Sequence, residues 1–431
     1  VNMLYNIVDR IYIGHMPQVG SLALTGLGVC TPIILIVSAF AALVASGGAP
    51  RASISMGKGD LQTAEKMLGG CFSLQLGISA VLTAVLLIWN RDLLLAFGAS
   101  GQTIDYAADY MQIYAIGTVF VQLTLGMNAF ITAQGFAREG MLTVLIGAVC
   151  NIVLDPILIF GWLGLPKMGV TGAAVATVIG QFCGAGMTLY FNLNKNPDIQ
   201  ISFRGFRPSA KAIGRIYTVG LPSIAMQCVG SVMTFFMNQI LMAFSATAVA
   251  VFGVYFKLQS FVFMPIFGMN NGMVPIISYN YGARRPERVK KTIRLAVFYA
   301  ECIMLVGFCI FQFLPDKLLS LFAASDAMLA IGIPALRIIC PHFLLAGAGI
   351  VLSSVFQALG NGVFSLTVSI CRQLVVLIPA AWLLSRTGEV NMVWWSFIIA
   401  EVVSLTLSLI FMARINRTVI VPLYEEQDAA V

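Results

Sequence analysis

Long apolar runs broken by short polar segments recur along the whole of this chain. Runs of roughly 20 apolar residues are the length that carries an α-helix across the hydrocarbon of a bilayer. The pattern predicts twelve spans, at about 1–14, 22–49, 67–89, 106–132, 141–163, 169–192, 213–243, 247–279, 295–314, 328–357, 363–385 and 391–413. The first run reaches only to about Gly14. That is too short to cross, so it reads as the outer part of a first helix, and no cleavable signal peptide is recognised. The longest polar interruption falls mid-chain, from about Asn194. The expectation is an all-α membrane protein with two six-helix lobes, 1–193 and 213–417, joined by a linker over 194–212 and followed by a tail over 418–431. Six is even, so both lobes enter the membrane in the same sense. The repeat is then parallel, a pseudo-two-fold about the membrane normal, as in many secondary transporters.

A short motif supports the duplication. Gly47-x-x-Pro50-x-x-Ser53-x-x-x-Gly57 returns about 225 residues later as Gly272-x-x-Pro275-x-x-Ser278-x-x-x-Gly282. Each copy closes an apolar run and precedes a charged stretch (Glu65-Lys66, Lys290-Lys291). Glycine permits close helix approach, proline kinks a helix, and the final glycine allows the turn into the loop. The motif therefore reads as architecture more than as a ligand site.

Composition excludes an ordinary soluble protein. Of 431 residues, 59% are hydrophobic and 10% charged, against about 25% charged in a soluble domain. The net charge of +7 does not indicate nucleic acid, because the cations sit in short loops between apolar runs. Seventeen Lys and Arg, among them Arg51, Lys58, Arg138, Arg284 and Arg414, fall on one side, and Arg91, Lys167, Lys317 and Arg386 on the other. That asymmetry places both termini in the cytoplasm. Trp89, Trp162 and the Trp394-Trp395 pair lie near span ends, as interfacial anchors do. The nine Cys are scattered in apolar helices without a CxxC pair, and the two His are isolated. Neither pattern suggests a disulfide framework or a metal site.

Charged groups inside spans are expensive and mark function. Asp9 lies in the first span and Asp155 in the fifth, with Asn151 one turn earlier on the same helix face. Pro156 follows and can free a carbonyl oxygen, and Thr177 in the sixth span can add a hydroxyl. The set reads as an oxygen-rich pocket for Na⁺ or as a carboxylate pair that traps a proton, because burial disfavours the charged form. The second half does not repeat these acids: Thr234 and Ile378 stand at the equivalent distances. Its intramembrane polar groups are Gln227, Lys257, Glu301, Arg337, Gln357, Arg372 and Glu401. The 29 Phe and 20 Met suit a cavity that accepts varied amphipathic molecules. Tyr5, Asn128, Gln227, Met237, Gln357 and Arg372 are the candidates for lining it.

Several segments resemble the multidrug and toxic compound extrusion (MATE) family. They are Tyr5-Asn6-Ile7-Val8-Asp9-Arg10-Ile11-Tyr12-Ile13-Gly14, Asn151-Ile152-Val153-Leu154-Asp155-Pro156, Gly169 to Thr177, Gly220-Leu221-Pro222-Ser223 and Tyr279-Asn280-Tyr281-Gly282-Ala283. The resemblance implies a bacterial plasma-membrane pump that exchanges drugs and toxic organic cations for Na⁺ or H⁺ by alternating access. It further implies a first-lobe cation site at Asp9, Asn151, Asp155 and Thr177, no cofactor, no metal beyond a coupling Na⁺, no nucleic-acid partner, and no enzymatic activity. Membrane lipid surrounds such a protein, and a monomer is expected. Some branches of the family carry acids in the seventh and tenth helices, where this chain has Gln227 and Gln357. Two rival readings remain. A lipid or polysaccharide-precursor flippase would use Arg337 and Arg372, and an intramembrane aspartyl protease would need more than the loop-borne Gly57-Lys58-Gly59-Asp60.

Overall fold

The computed structural model describes residues 10–16, 19–201, 210–322 and 324–428. Eleven of its helices are long and apolar enough to cross a membrane. They are α1 (Gly20–Gly57), α2 (Leu61–Ile88), α3 (Ile104–Ala133), α4 (Ala137–Phe160), α5 (Val170–Lys195), α6 (Ile213–Met242), α7 (Ala246–Gly282), α8 (Pro286–Phe313), α9 (Asp326–Ala358), α10 (Gly362–Ser385) and α11 (Val390–Tyr424). Residues 10–14 are also helical, while most of the run expected at 1–14 lies outside the described residues. Among the described residues there is no strand, as an all-helical membrane fold requires when every backbone group must be satisfied inside its own segment.

Local sequence sets the ends of these helices. Asp60 caps α2 by accepting from the Thr63 backbone N–H at 3.0 Å, and Ser245 caps α7 by accepting from Ala248 N–H at 3.1 Å. Gly135 turns α3 into α4 at φ +90°, a conformation open to glycine. Prolines inside α1 (Pro32, Pro50), α4 (Pro156) and α7 (Pro265, Pro275) are tolerated because neighbouring helices and side chains absorb the freed carbonyls.

The chain divides into two compact units. One comprises 1–52 and 60–220, the other 53–59 and 221–431. In the first, the Gln122 amide donates to the Val37 carbonyl at 2.6 Å and ties α3 to α1. In the second, Tyr255, Phe311, Phe343 and Phe397 pack edge to face in a buried aromatic core. Large apolar side chains such as Ile88, Phe261 and Phe313 stand exposed, which fits a surface bathed in acyl chains.

The repeated motif packs backbone against backbone. A Cβ on Gly47 would strike the Ile216 carbonyl within the first unit. Within the second, Gly57 abuts the Tyr279 carbonyl and Gly282 abuts that of Ile54, so the closing glycines of the two copies serve one crossing. The two copies are not equivalent. Gly272 faces open space, and Ser278 donates to the Ala358 carbonyl at 2.8 Å while the buried Ser53 hydroxyl has no partner among the described residues.

One expectation changes. Trp89, Trp162 and Trp395 are exposed, as anchors should be, but Trp394 is fully buried. Adjacent helical residues point about 100° apart, so only one of the pair can reach the interface. Within the expected tail, residues 418–428 are helical. Its Tyr424 hydroxyl donates to Glu287, and Lys290 lies 4.5 Å from the Tyr424 ring centroid.

Candidate functional site

Helices α4 and α5 approach closely because small residues line their contact. A Cβ on Gly180 would lie 2.6 Å from the Gly147 carbonyl oxygen, and one on Gly172 would lie 2.6 Å from that of Leu158. This close crossing lets short polar side chains meet in the hydrocarbon. Asn151 and Asp155 project from one face of α4, and Thr177 meets them from α5. All three are buried, Asp155 completely.

The Asn151 Nδ2 lies 3.4 Å from the Asp155 carboxylate and 3.4 Å from the Thr177 hydroxyl. Both contacts are longer than a strong hydrogen bond, so the Asn151 amide is shared between them. The Thr177 hydroxyl donates to the Ala173 carbonyl at 2.9 Å, so it meets the Asn151 amide as an acceptor. Pro156 has no N–H, so the Ile152 carbonyl lacks its usual helical donor. The group thus offers a carboxylate and a hydroxyl, oxygen donors of the kind that hard monovalent or divalent cations prefer, with the Asn151 amide nitrogen turned to both. Among the described residues no three His, Cys, Asp or Glu cluster, so the donor set here is not the nitrogen–sulfur set of a transition metal.

Asp9 and Tyr5 lie outside the described residues. The other candidate residues are dispersed. Asn128 donates to the Gly140 carbonyl at 2.7 Å and to the Thr143 hydroxyl at 2.6 Å, holding α3 to α4. Gln227 is exposed and Gln357 half-buried. Met237 is fully buried in the apolar core of the second unit and fronts no open space. Arg372 reaches Glu401, Nη1 to Oε2 3.6 Å. That pairing was not legible in the sequence, since 29 residues and a turn separate the partners. The available signal was the run Trp394, Phe397, Glu401, which places a carboxyl on the same helix face as two aromatic rings.

The sequence profile of the MatE family matches residues 1–157 and 222–383. The chain is 26% identical over 404 residues to the multidrug export protein MepA of Staphylococcus haemolyticus, covering 94% of this chain and 87% of that one. Its fold is similar to a crystal structure of MATE in the bent conformation, with TM-score 0.90 and 26% identity, covering 99% of this chain and 93% of the other. It is also similar to a MOP superfamily transporter from Pyrococcus furiosus, with TM-score 0.88 and 26% identity, covering 98% and 93%. That archaeal protein is described as having a binding pocket of reverse polarity that suggests a different function.

Proposed function

The chain belongs to the MatE family, and from that premise we propose that it is a multidrug exporter of a bacterial plasma membrane. In this reading it exchanges organic, mostly cationic, compounds for Na⁺ or H⁺ by alternating access, and it acts as a transporter and not as an enzyme. The similarity to staphylococcal multidrug export proteins supports the cargo class and the membrane. The observation that carries the coupling is the buried Asp155, with Asn151 and Thr177 gathered beside it from two helices. A carboxylate costs several kcal/mol to hold charged in a low-dielectric interior. It therefore favours binding either a proton or a small cation, and each neutralises it.

Asp9 is the second acid of this site in the proposal. The two repeats, 1–193 and 213–417, are the bodies that move, with 194–212 joining them and both termini in the cytoplasm. In the second unit, Arg372 and Gln357 are the cargo contacts of this proposal. The ion at Asp155 and a cationic cargo compete for the same negative charge, so entry of one lowers the affinity for the other.

Cells expressing Asp155→Asn at wild-type membrane levels should lose drug resistance. Everted vesicles given a Na⁺ gradient and a pH gradient separately should accumulate ethidium under one of them and not under the other. Retained resistance in the variant would remove Asp155 from the coupling. A second reading rests on Arg372, a cation at mid-span that suits an anionic headgroup. Transfer of labelled lipid, and not of ethidium, by purified protein would favour it.

A further inference from the structure

The second unit holds a polar cluster that the coupling site does not use. Glu401 on α11 is 3% exposed, and its Oε1 has no hydrogen-bond partner among the described residues. Its other oxygen lies 3.6 Å from Arg372 Nη1, well beyond the roughly 2.7–2.9 Å of a charge-assisted hydrogen bond. Tyr255 and Trp394 are fully buried, and neither the phenol hydroxyl nor the indole N–H has a partner among the described residues. Phe397, one turn before Glu401, packs against both the Tyr255 ring and the His342 ring. Tyr255 and His342 thus stand near one loosely held ion pair. Such a pair stabilises a fold poorly, since desolvation of the two charges consumes most of their attraction.

Arg372 differs from its partner in access. Its side chain is 30% exposed, while that of Glu401 is 4% exposed. It is the eleventh residue of α10, so at 1.5 Å per residue it lies about 15 Å from one end and about 20 Å from the other, near the middle of a hydrocarbon layer about 30 Å thick. A guanidinium exposed at that depth to acyl chains would be expensive, so the exposed part fronts water. The helix widens at this place: over Cys371–Leu377 the backbone bonds i to i+5. Such wide turns frequently accompany functional sites.

We propose that Arg372 is the subsite for a carboxylate on the cargo, and that Glu401 is the internal anion that occupies Arg372 when such cargo is absent. The preferred molecule is an amphipath that carries a carboxylate for Arg372. The exchange balances in charge and atoms. The cargo carboxylate takes the guanidinium N–H donors, Glu401 leaves them, and one proton from water bonds to a Glu401 oxygen. Without that proton a lone carboxylate would be stranded in the interior. The titratable groups around Glu401 are Arg372 and Tyr255, with His342 beside Arg372, Cys340 beside Tyr255, Cys371 on the same segment as Arg372, and Asp326 exposed at the start of a packed helix. The segments Phe343–Ala358, Gly362–Ile370 and Ile378–Ser385, which pack on the same helix, carry none, and Arg337 on the neighbouring helix is exposed.

This inference rests on the multidrug-export reading, and its test separates the two. Tetramethylrhodamine, a zwitterion, and its methyl ester, a cation of nearly the same shape, would be titrated onto the purified full-length protein in nanodiscs by fluorescence anisotropy. Proton uptake would be followed with an indicator dye in weak buffer. The wild type should take up close to one proton per zwitterion bound and none per ester. The zwitterion Kd should therefore rise about tenfold per pH unit while the ester Kd does not. Arg372→Gln should lower the affinity for the zwitterion relative to the ester by about tenfold or more. Glu401→Gln should abolish the proton uptake. Zwitterion binding by the wild type without proton uptake would overturn the proposal, and that measurement needs no variant to fold. So would an unchanged zwitterion-to-ester ratio in Arg372→Gln. Failure of the wild type to bind either dye would instead overturn the multidrug reading, and this inference with it.

Discussion

The crossing of α4 and α5 makes a quantitative claim about Gly180. An alanine there would place its Cβ 2.6 Å from the Gly147 carbonyl oxygen and 3.1 Å from the Asn151 Cβ. Carbon–oxygen contacts settle at about 3.3 Å or more, so α5 must withdraw by about 0.7 Å. Thr177 lies three residues away, and its 3.4 Å contact with Asn151 is already at the limit of a hydrogen bond. The withdrawal would break that contact and loosen the ion site. Overpacking of this kind costs about 1–3 kcal/mol. Gly186 on the same helix provides the control, since a Cβ there meets nothing within 4 Å. Both substitutions gain the same helix preference of about 0.5–1 kcal/mol for alanine over glycine, so that term cancels between them. Gly180→Ala should therefore be less stable than Gly186→Ala by about 1–3 kcal/mol, read as a lower melting midpoint by intrinsic tryptophan fluorescence in one detergent. The stabilisation of the protein by its coupling ion, seen as an upward shift of the midpoint with ion concentration, should shrink in Gly180→Ala and persist in Gly186→Ala. Equal midpoints for the two variants would refute the tight crossing as the support of the site.

Two further outcomes follow from the same geometry. Ser278→Ala removes the bond to the Ala358 carbonyl and should cost about 1–3 kcal/mol in thermal stability, because a buried acceptor is left unmet. Ser53→Ala at the matching repeat position, where the hydroxyl has no partner among the described residues, should change stability little. Thr177→Val should weaken ion binding more than Thr177→Ser, since serine keeps the hydroxyl and valine keeps only the shape. An isotope-binding or calorimetric titration with the coupling ion would rank them.

The helices were largely legible in the sequence, because bilayer length imposes a pattern that survives without any knowledge of packing. The expected 169–192 and 247–279 lie within a few residues of α5 and α7. Asn151 and Asp155 could be paired in advance, because i and i+4 on a helix share a face whatever surrounds them. Thr177 required a guess about the loop between α4 and α5, and the structure brings it to the pair. What could not be read depends on partners remote in sequence. The Gly57 and Gly282 crossing joins the two copies of a motif whose spacing suggested only that they were alike. The wide turn at Cys371 inserts a register change that an apolar run does not reveal. Met237 is placed in the core by its neighbours, and an apolar side chain on a helix carries no mark of which side it will face.

The account depends most directly on whether the ion and the drug contend for Asp155. Purified protein carrying bound ethidium, in nanodiscs, would be titrated with Na⁺ at fixed pH and then with acid at fixed Na⁺, and the dye fluorescence followed. Wild-type protein should release ethidium along one of these two titrations, and Asp155→Asn should hold its residual dye unchanged through both. Release from Asp155→Asn with the wild-type ion dependence would contradict the account.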